Sequence, residues 1–305
     1  MNVVFMGTPD FAVGCLEVLN KNYNVVGVFT QPDKPQGRKM ELKPPAVKVK
    51  ALELGLQVYQ PTTLKTDETF NLLKSLNPEL IVVVAYGKIL PKNILDLPKF
   101  GCINVHASLL PKYRGSAPIQ WSIVLGEKTT GVTTMYMDEG VDTGDILLTK
   151  EVEILSTDTG GTLFDKLAQV GAELLEETCT ELIKGNLKRI KQDDSLATYA
   201  PIIKKEMGFI DFTKPANEVL CLIRGFNPWP CAYFMLLGKR LKVFSAELSN
   251  LNGDSGEVLA SDRELIIACG DKAVKLIDVQ LEGSKRMNAS DLIRGKRIEV
   301  GTKVQ

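Results

Sequence analysis

Leu80-Ile81-Val82-Val83-Val84-Ala85 (80–85) is an unbroken apolar run rich in β-branched residues. A strand with one wet face alternates apolar and polar side chains, and this run does not. It reads as a strand buried on both faces, the mark of a parallel sheet with helices on each side. Working outward, residues 3–6 form a second such run, which ends in the turn Gly7-Thr8-Pro9-Asp10. An amphipathic stretch over 11–20 and another apolar run over 23–30 complete a strand–turn–helix–strand unit. Further strands are predicted over 101–106, 132–137 and 145–152, and a helix over 120–125. Leu163, Leu167, Val170, Leu174, Leu175 and Ile183 recur near the helical period and predict one long helix over 159–184, closed by Gly185. The fold class is α/β with a mostly parallel sheet.

The pattern changes after that helix. Residues 186–208 are charged, lack a clean period and contain Pro201, so they read as a linker. The division drawn on this basis is an α/β domain over 1–187, a linker over 188–207 and a C-terminal β domain over 208–305. In that last part short segments alternate apolar and polar between turns, as in Cys-Ala-Tyr-Phe-Met-Leu-Leu (231–237) and Glu-Leu-Ile-Ile-Ala-Cys-Gly (264–270). They predict a small β-barrel (OB-like) or β-sandwich.

Composition narrows the class further. The chain has 305 residues, 44% apolar and 24% charged, which excludes collagen-like, coiled-coil and disordered chains. Its 37 basic and 37 acidic residues cancel overall. They are not evenly spread: residues 1–187 carry 18 basic against 22 acidic, and residues 188–305 carry 19 against 15. A mildly basic rear half can meet a polyanion without identifying one. The six cysteines show no C-x-x-C spacing and there is one histidine, so a structural zinc site is not expected. The N-terminus lacks the features of a secretory or transit signal, and the longest apolar run is far short of a membrane span. A soluble cytoplasmic chain with no membrane contact is expected, with a monomer as the simplest state.

Four stretches can carry chemistry. Gly7-Thr8-Pro9-Asp10-Phe11 stands where a dinucleotide-binding protein shows G-x-G-x-x-G, but it does not match, so no nicotinamide or flavin is expected. Asn104 and His106 are two apart on a predicted strand and share one face near its C-terminal end, where open α/β sheets hold ligands. A structural histidine would give the same pattern. Ser108, Leu109, Leu110 and Pro111 open a loop whose apolar side chains suit a flat heteroaromatic ligand or a fold back onto the core. Asp142 lies in the acidic turn Asp-Glu-Gly-Val-Asp-Thr-Gly-Asp (138–145), which lacks the alternation of a calcium loop but could present one carboxylate to a histidine. Residues 33–50 read as a long basic loop, either an arm for an anionic substrate or plain surface.

Together these residues resemble the folate-dependent formyltransferase family. Asn-Val-His-Ala-Ser-Leu-Leu-Pro-Lys-Tyr-Arg-Gly-Ser-Ala-Pro (104–118) is similar to one family motif. Gly-Val-Thr-Thr-Met-Tyr-Met-Asp-Glu-Gly-Val-Asp-Thr-Gly-Asp-Ile-Leu (131–147) is similar to a second. The opening Phe-Met-Gly-Thr-Pro-Asp-Phe-Ala-Val (5–13), the basic loop and the motifs over 199–212, 223–233 and 286–295 resemble the members that act on methionyl initiator tRNA.

The resemblance implies a Rossmann-like formyltransferase domain and a tRNA-binding barrel. It implies transfer of a formyl group from 10-formyltetrahydrofolate, without a metal, to the α-amine of methionyl initiator tRNA. Asn104, His106 and Asp142 are the catalytic residues it implies. Ser108, Leu109, Leu110 and Pro111, with Val84, Ala85 and Tyr86 at the strand end, are the implied folate contacts. Arg38, Lys39 and Lys43 in the basic loop, with Lys204, Lys205 and Arg240 behind, are the implied tRNA contacts, and Arg224 and Arg286 are further candidates for phosphate. Rival readings are a sugar-nucleotide formyltransferase, a single-domain purine-pathway formyltransferase and a non-catalytic tRNA- or folate-binding relative.

Overall fold

The computed structural model describes residues 1–36, 41–295 and 298–304. Two compact units are present, and neither is continuous in sequence. The first is built from Met1–Gly115, Thr130–Val152 and Phe164–Tyr199, the second from Ser116–Thr129, Glu153–Leu163 and Ala200–Gln305.

The first unit holds a seven-stranded sheet in the order Ile146–Glu153, Thr129–Tyr136, Cys102–His106, Leu80–Val84, Asn2–Gly7, Asn24–Phe29, Val58–Tyr59. The five strands from Cys102–His106 onward pair in parallel. Thr129–Tyr136 runs antiparallel to Cys102–His106, with Thr133 opposite His106. Every residue of Leu80–Val84 is buried, as a strand covered on both faces requires. One face packs Ile81 and Val83 with Leu73, Ile94 and Tyr86. The long helix Gly160–Lys184 buries Leu163, Leu167, Leu174 and Leu175. Within it Gly171 lets the helix backbone lie close to the sheet: a Cβ there would meet Val105 Cγ1 at 3.2 Å. The helix therefore bears on the strand that carries Asn104 and His106.

Three local expectations change. The stretch over 11–20 begins with a 3-10 turn, Asp10–Ala12, before the α-helix Val13–Asn22. Phe11 in that turn is buried edge-to-face against Phe164, with centroids 5.5 Å apart. Residues 33–50 are not a plain loop. Lys34–Gln36 pairs antiparallel with Glu41–Lys43, and Ala46–Glu53 is a helix that buries Val47 and Ala51. Nor are all its cations turned outward. Lys48 Nζ bonds both Asp33 oxygens, at 2.8 and 2.9 Å, and Gln60 Oε1 at 2.8 Å. Lys48 and Gln60 hold the Asp33 carboxyl below its ordinary range. Arg38 and Lys39 lie outside the described residues.

The stretch read as a linker, 188–207, is built into the units. Ile190 exchanges two backbone hydrogen bonds with Ile146, at 2.8 and 2.9 Å, and Gln192 is buried, both within the first unit. From Ala200 onward the chain belongs to the second. A charged, aperiodic segment can be ordered by pairing and by side-chain hydrogen bonds that leave no hydrophobic period to read.

The second unit is a curled antiparallel half-barrel. Its hydrogen-bonded order is Ala232–Leu236, Lys239–Ser249, Ala273–Leu281, Leu265–Ala268, Val258–Ala260, with Met287–Asn288 beside Ala273–Leu281. Register shifts at 243/245 and 245/246 bend the long Lys239–Ser249 strand. The helix Ala216–Gly225 sets Val219 and Ile223 into a core with Phe234, Val243 and Val279. Within the same unit the helix Pro118–Val124 lies against it, and a Cβ on Gly225 would meet Val124 Cγ2 at 2.6 Å.

Gly171→Leu is expected to lower stability by about 1–3 kcal/mol, since the added side chain must displace Val105 or lift the helix. Urea unfolding should show a lower midpoint with an unchanged slope.

Candidate active site

Asn104 and His106 leave the Cys102–His106 strand near its C-terminal end, and Val83 of the neighbouring strand stands opposite Asn104. The turn after Thr129–Tyr136 brings Asp142 to them. Asp142 Oδ1 lies 3.4 Å from Asn104 Nδ2, and Oδ2 lies 3.6 Å from His106 Nδ1. His106 Nε2 is 2.9 Å from the Tyr113 carbonyl. A carbonyl only accepts, so Nε2 carries a proton. Nδ1 then faces a carboxylate, and only a ring protonated on both nitrogens could donate towards both neighbours.

Asp142 itself sits in the left-handed region, at φ 56°. The Gly115 N–H donates to its Oδ2 at 2.8 Å, and its carbonyl accepts from Gln192 Nε2 at 2.9 Å. Gly144 is sterically required two residues on, because a Cβ there would fall 1.8 Å from the Tyr136 carbonyl oxygen. Two other acids of the turn are engaged elsewhere. Asp138 accepts from Gly140 N–H and the Thr143 hydroxyl, and Glu139 pairs with Lys92 at 3.1 Å. Asp142 is thus the acid that the turn aims at Asn104 and His106.

The loop beyond His106 is held by its own hydrogen bonds. Ser108 Oγ donates to the Lys112 carbonyl at 2.6 Å. Thr133 Oγ1 donates to the Ser108 carbonyl at 2.7 Å and accepts from Leu110 N–H at 3.2 Å. Leu110 is buried with Met135 and Ile146, so its side chain belongs to the core and not to a ligand face. Leu109 is half-buried beside Gly131, and Pro111 is half-buried too.

At the neighbouring strand end the side chains of Val84 and Tyr86 are also buried, which leaves their main chain as what they can offer a ligand. Burial pushes the Tyr86 phenol up to about 12. Ala85 between them is exposed and left-handed, at φ 47°. The carbonyl of Tyr86 accepts from Thr8 Oγ1 at 3.1 Å and Gln31 Nε2 at 3.0 Å. This edge therefore offers backbone and Ala85, and little else, to a ligand.

The basic candidates separate by surroundings. Lys43, Lys204, Lys205 and Arg240 are exposed. In the second unit the Arg240 guanidinium lies 4.5 Å from the Tyr233 ring centroid. Arg224 is occupied: it donates to the Leu155 and Asp158 carbonyls at 3.3 and 3.0 Å, which removes it as a phosphate contact. Arg286 is paired with Asp278. Among the described residues no group of three or more His, Cys, Asp or Glu could hold a metal ion. Among them, too, no helix is long and apolar enough to cross a membrane.

The sequence reading gave no role to Thr133, Arg114 or Gln192. Thr133 and Arg114 fall inside the two quoted motifs, and Gln192 lies in the stretch read as a linker, but each works through a partner remote in sequence.

The formyl transferase family model matches residues 1–179, and the model of the formyl transferase C-terminal domain matches residues 202–297. The chain belongs to the formyl transferase family. It is 52% identical over 306 aligned residues to the methionyl-tRNA formyltransferase of Caldanaerobacter subterraneus, covering 99% of each chain. It is 50% identical to that of Bacillus velezensis, covering 98% and 96%. Among solved structures, the methionyl-tRNA formyltransferase from Clostridium thermocellum superposes with a TM-score of 0.58 at 20% identity, covering 92% of this chain and 98% of that one. An N-formyltransferase from Helicobacter canadensis, solved with folinic acid and dTDP-3-aminofucose, superposes with a TM-score of 0.69 at 20% identity, covering 93% and 99%. At that identity both speak for the fold.

Thr133→Val keeps the shape of the side chain but strands the Ser108 carbonyl and the Leu110 N–H. A loss of roughly 1–3 kcal/mol is expected, read as a lower urea midpoint.

Proposed function

We propose that this formyltransferase moves a formyl group from 10-formyltetrahydrofolate to the α-amine of methionyl initiator tRNA. The observation that carries the reading is the Asp142 carboxylate held within 3.4–3.6 Å of both the Asn104 amide and the His106 ring near the C-terminal end of their strand. Full-length similarity to enzymes named methionyl-tRNA formyltransferase supports the choice of acceptor.

In this reading the amine attacks the formyl carbon and a tetrahedral oxyanion forms. Asn104 and His106 donate hydrogen bonds to it, each typically worth about 3 kcal/mol at the transition state. The bond to the folate nitrogen then breaks. The proton lost by the amine passes through a water ordered by Asp142 to that leaving nitrogen, so atoms and charge balance. His106 keeps its orientation through Nε2 and the Tyr113 carbonyl, which leaves the Nδ1 side for the reaction.

The folate ring lies against Ser108, Leu109 and Pro111 and the exposed backbone around Ala85. Val84 and Tyr86 contribute main chain only. Lys43, Lys204, Lys205 and Arg240 meet tRNA phosphates, which fix position more than sequence. The enzyme works in the cytoplasm, as a monomer.

The competing acceptor is an amino-sugar nucleotide, as in the Helicobacter canadensis protein of similar fold. Offering methionyl initiator tRNA, free methionine and an amino-sugar nucleotide beside 10-formyltetrahydrofolate separates the two. Transfer to the charged tRNA alone is expected. Transfer to the sugar would keep the chemistry and replace the acceptor.

His106→Asn should lower turnover by roughly two to four orders of magnitude while folate still binds. Near-normal turnover would remove His106 from the mechanism. Arg240→Ala should weaken tRNA binding and reduce the slope of log affinity against log salt by about 1, the loss of one phosphate contact. An unchanged slope would show that Arg240 stays in solvent.

A further inference from the structure

Gln192 lies in the stretch whose composition reads as a linker, yet it is only 6% exposed and both ends of its amide are used. Its Nε2 donates to the carbonyls of Asp142 and Gly144, at 2.9 and 2.7 Å. Its Oε1 accepts from Arg114 Nε and Nη2, at 3.1 and 2.8 Å. Arg114 is buried as well, and its Nη2 also donates to the exposed Asp194 at 2.7 Å. The residue after Arg114 is Gly115, whose N–H donates to Asp142 Oδ2. Asp142 is therefore gripped twice, by its carbonyl and by its carboxylate, and Arg114 is common to both grips.

The chemistry of this contact is narrow. The side chain at 192 must accept a guanidinium fork at one end and donate to two carbonyls at the other. A carboxylate of the same length can do only the first. One donated bond holds the Asp142 carbonyl and the other holds Gly144 two residues on, so together they brace the turn in which Asp142 is left-handed. The hydrogen bonds of the Gln192 amide go to Arg114, Asp142, Gly144 and the Met135 sulfur, and not to Asn104 or His106.

We propose that Gln192, clamped by Arg114, is the positioning residue that fixes Asp142 against Asn104 and His106 and so sets turnover, not substrate affinity. The inference rests on the reading of Asp142 as catalytic.

The test is Gln192→Glu in the full chain, which keeps length and the Arg114 contact but turns a carboxylate on the two carbonyls. With 10-formyltetrahydrofolate and methionyl initiator tRNA, kcat is expected to fall about 10- to 100-fold, while KM for each substrate stays within about threefold. Asp142→Asn is measured beside it, alone and combined with Gln192→Glu. If Gln192 acts through Asp142, the double variant is no slower in single turnover than Asp142→Asn alone.

A kcat within about twofold of the unaltered protein, or losses that multiply in the double variant, would overturn the inference while leaving Asp142 catalytic. If Asp142→Asn itself keeps full turnover, the reading of Asp142 fails and the inference with it. Where Gln192→Glu does not fold, Asp194→Asn at the exposed end of the clamp carries the test. A fall in kcat of roughly two- to fivefold at constant KM is expected there, and an unchanged kcat overturns the inference.

Discussion

A carboxylate held against an amide and an imidazole near the C-terminal end of a strand is hard to build, because each group prefers water or a closer partner. Asp142 lies in a left-handed turn and at 3.4–3.6 Å from Asn104 and His106, too far for strong direct bonds. Much of the first unit serves to keep it there. Gly144 removes the Cβ that would strike the Tyr136 carbonyl, Gly115 supplies an N–H to the carboxylate, and Gln192 holds the carbonyl. At this spacing the carboxylate lies beside both groups without closing into a tight ion pair with the ring.

The scaffold behind the site is rigid for ordinary reasons. Asn104 and His106 sit on a strand in which every residue but Asn104 is buried, and its neighbour, Leu80–Val84, is buried throughout. The long helix presses on Val105 at the place where glycine permits close approach. The loop that follows His106 is pinned by Thr133, which serves one donor and one acceptor at once. Each of these contacts places a polar group by satisfying another buried polar group. A single lost hydroxyl or amide is therefore felt as an unpaired partner, which costs more than the lost bond.

Much of the architecture was legible. Continuous apolar runs marked the buried parallel strands, and the 3.6-residue period marked the long helix to within one residue at its start. The hairpin and helix within 33–50 were not legible, because prolines and lysines dominate that stretch and the helix buries only Val47 and Ala51. In the site, Asn104 and His106 stood out by strand spacing, while Asp142 was set apart from the other acids of its turn by the family resemblance. Arg224 looked like any surface cation until its guanidinium was found on the Leu155 and Asp158 carbonyls. Leu110 looked like a ligand contact until it was found packed with Met135 and Ile146.

Read alone, the order of residues determined the fold class, the two-part division into an α/β unit and a β-rich unit, and the three polar side chains whose types suit formyl transfer. These follow from periodicity and from local motifs, which act between residues close in the chain. Only the tertiary structure decided which acid of the turn faces the histidine, which ring nitrogen is already taken by Tyr113, and that a glutamine fifty positions beyond Asp142 holds it in place. Those are contacts between segments far apart in sequence. Hydrogen bonds of this kind depend on direction and on distances of a few tenths of an ångström, and no local pattern of residue types encodes either.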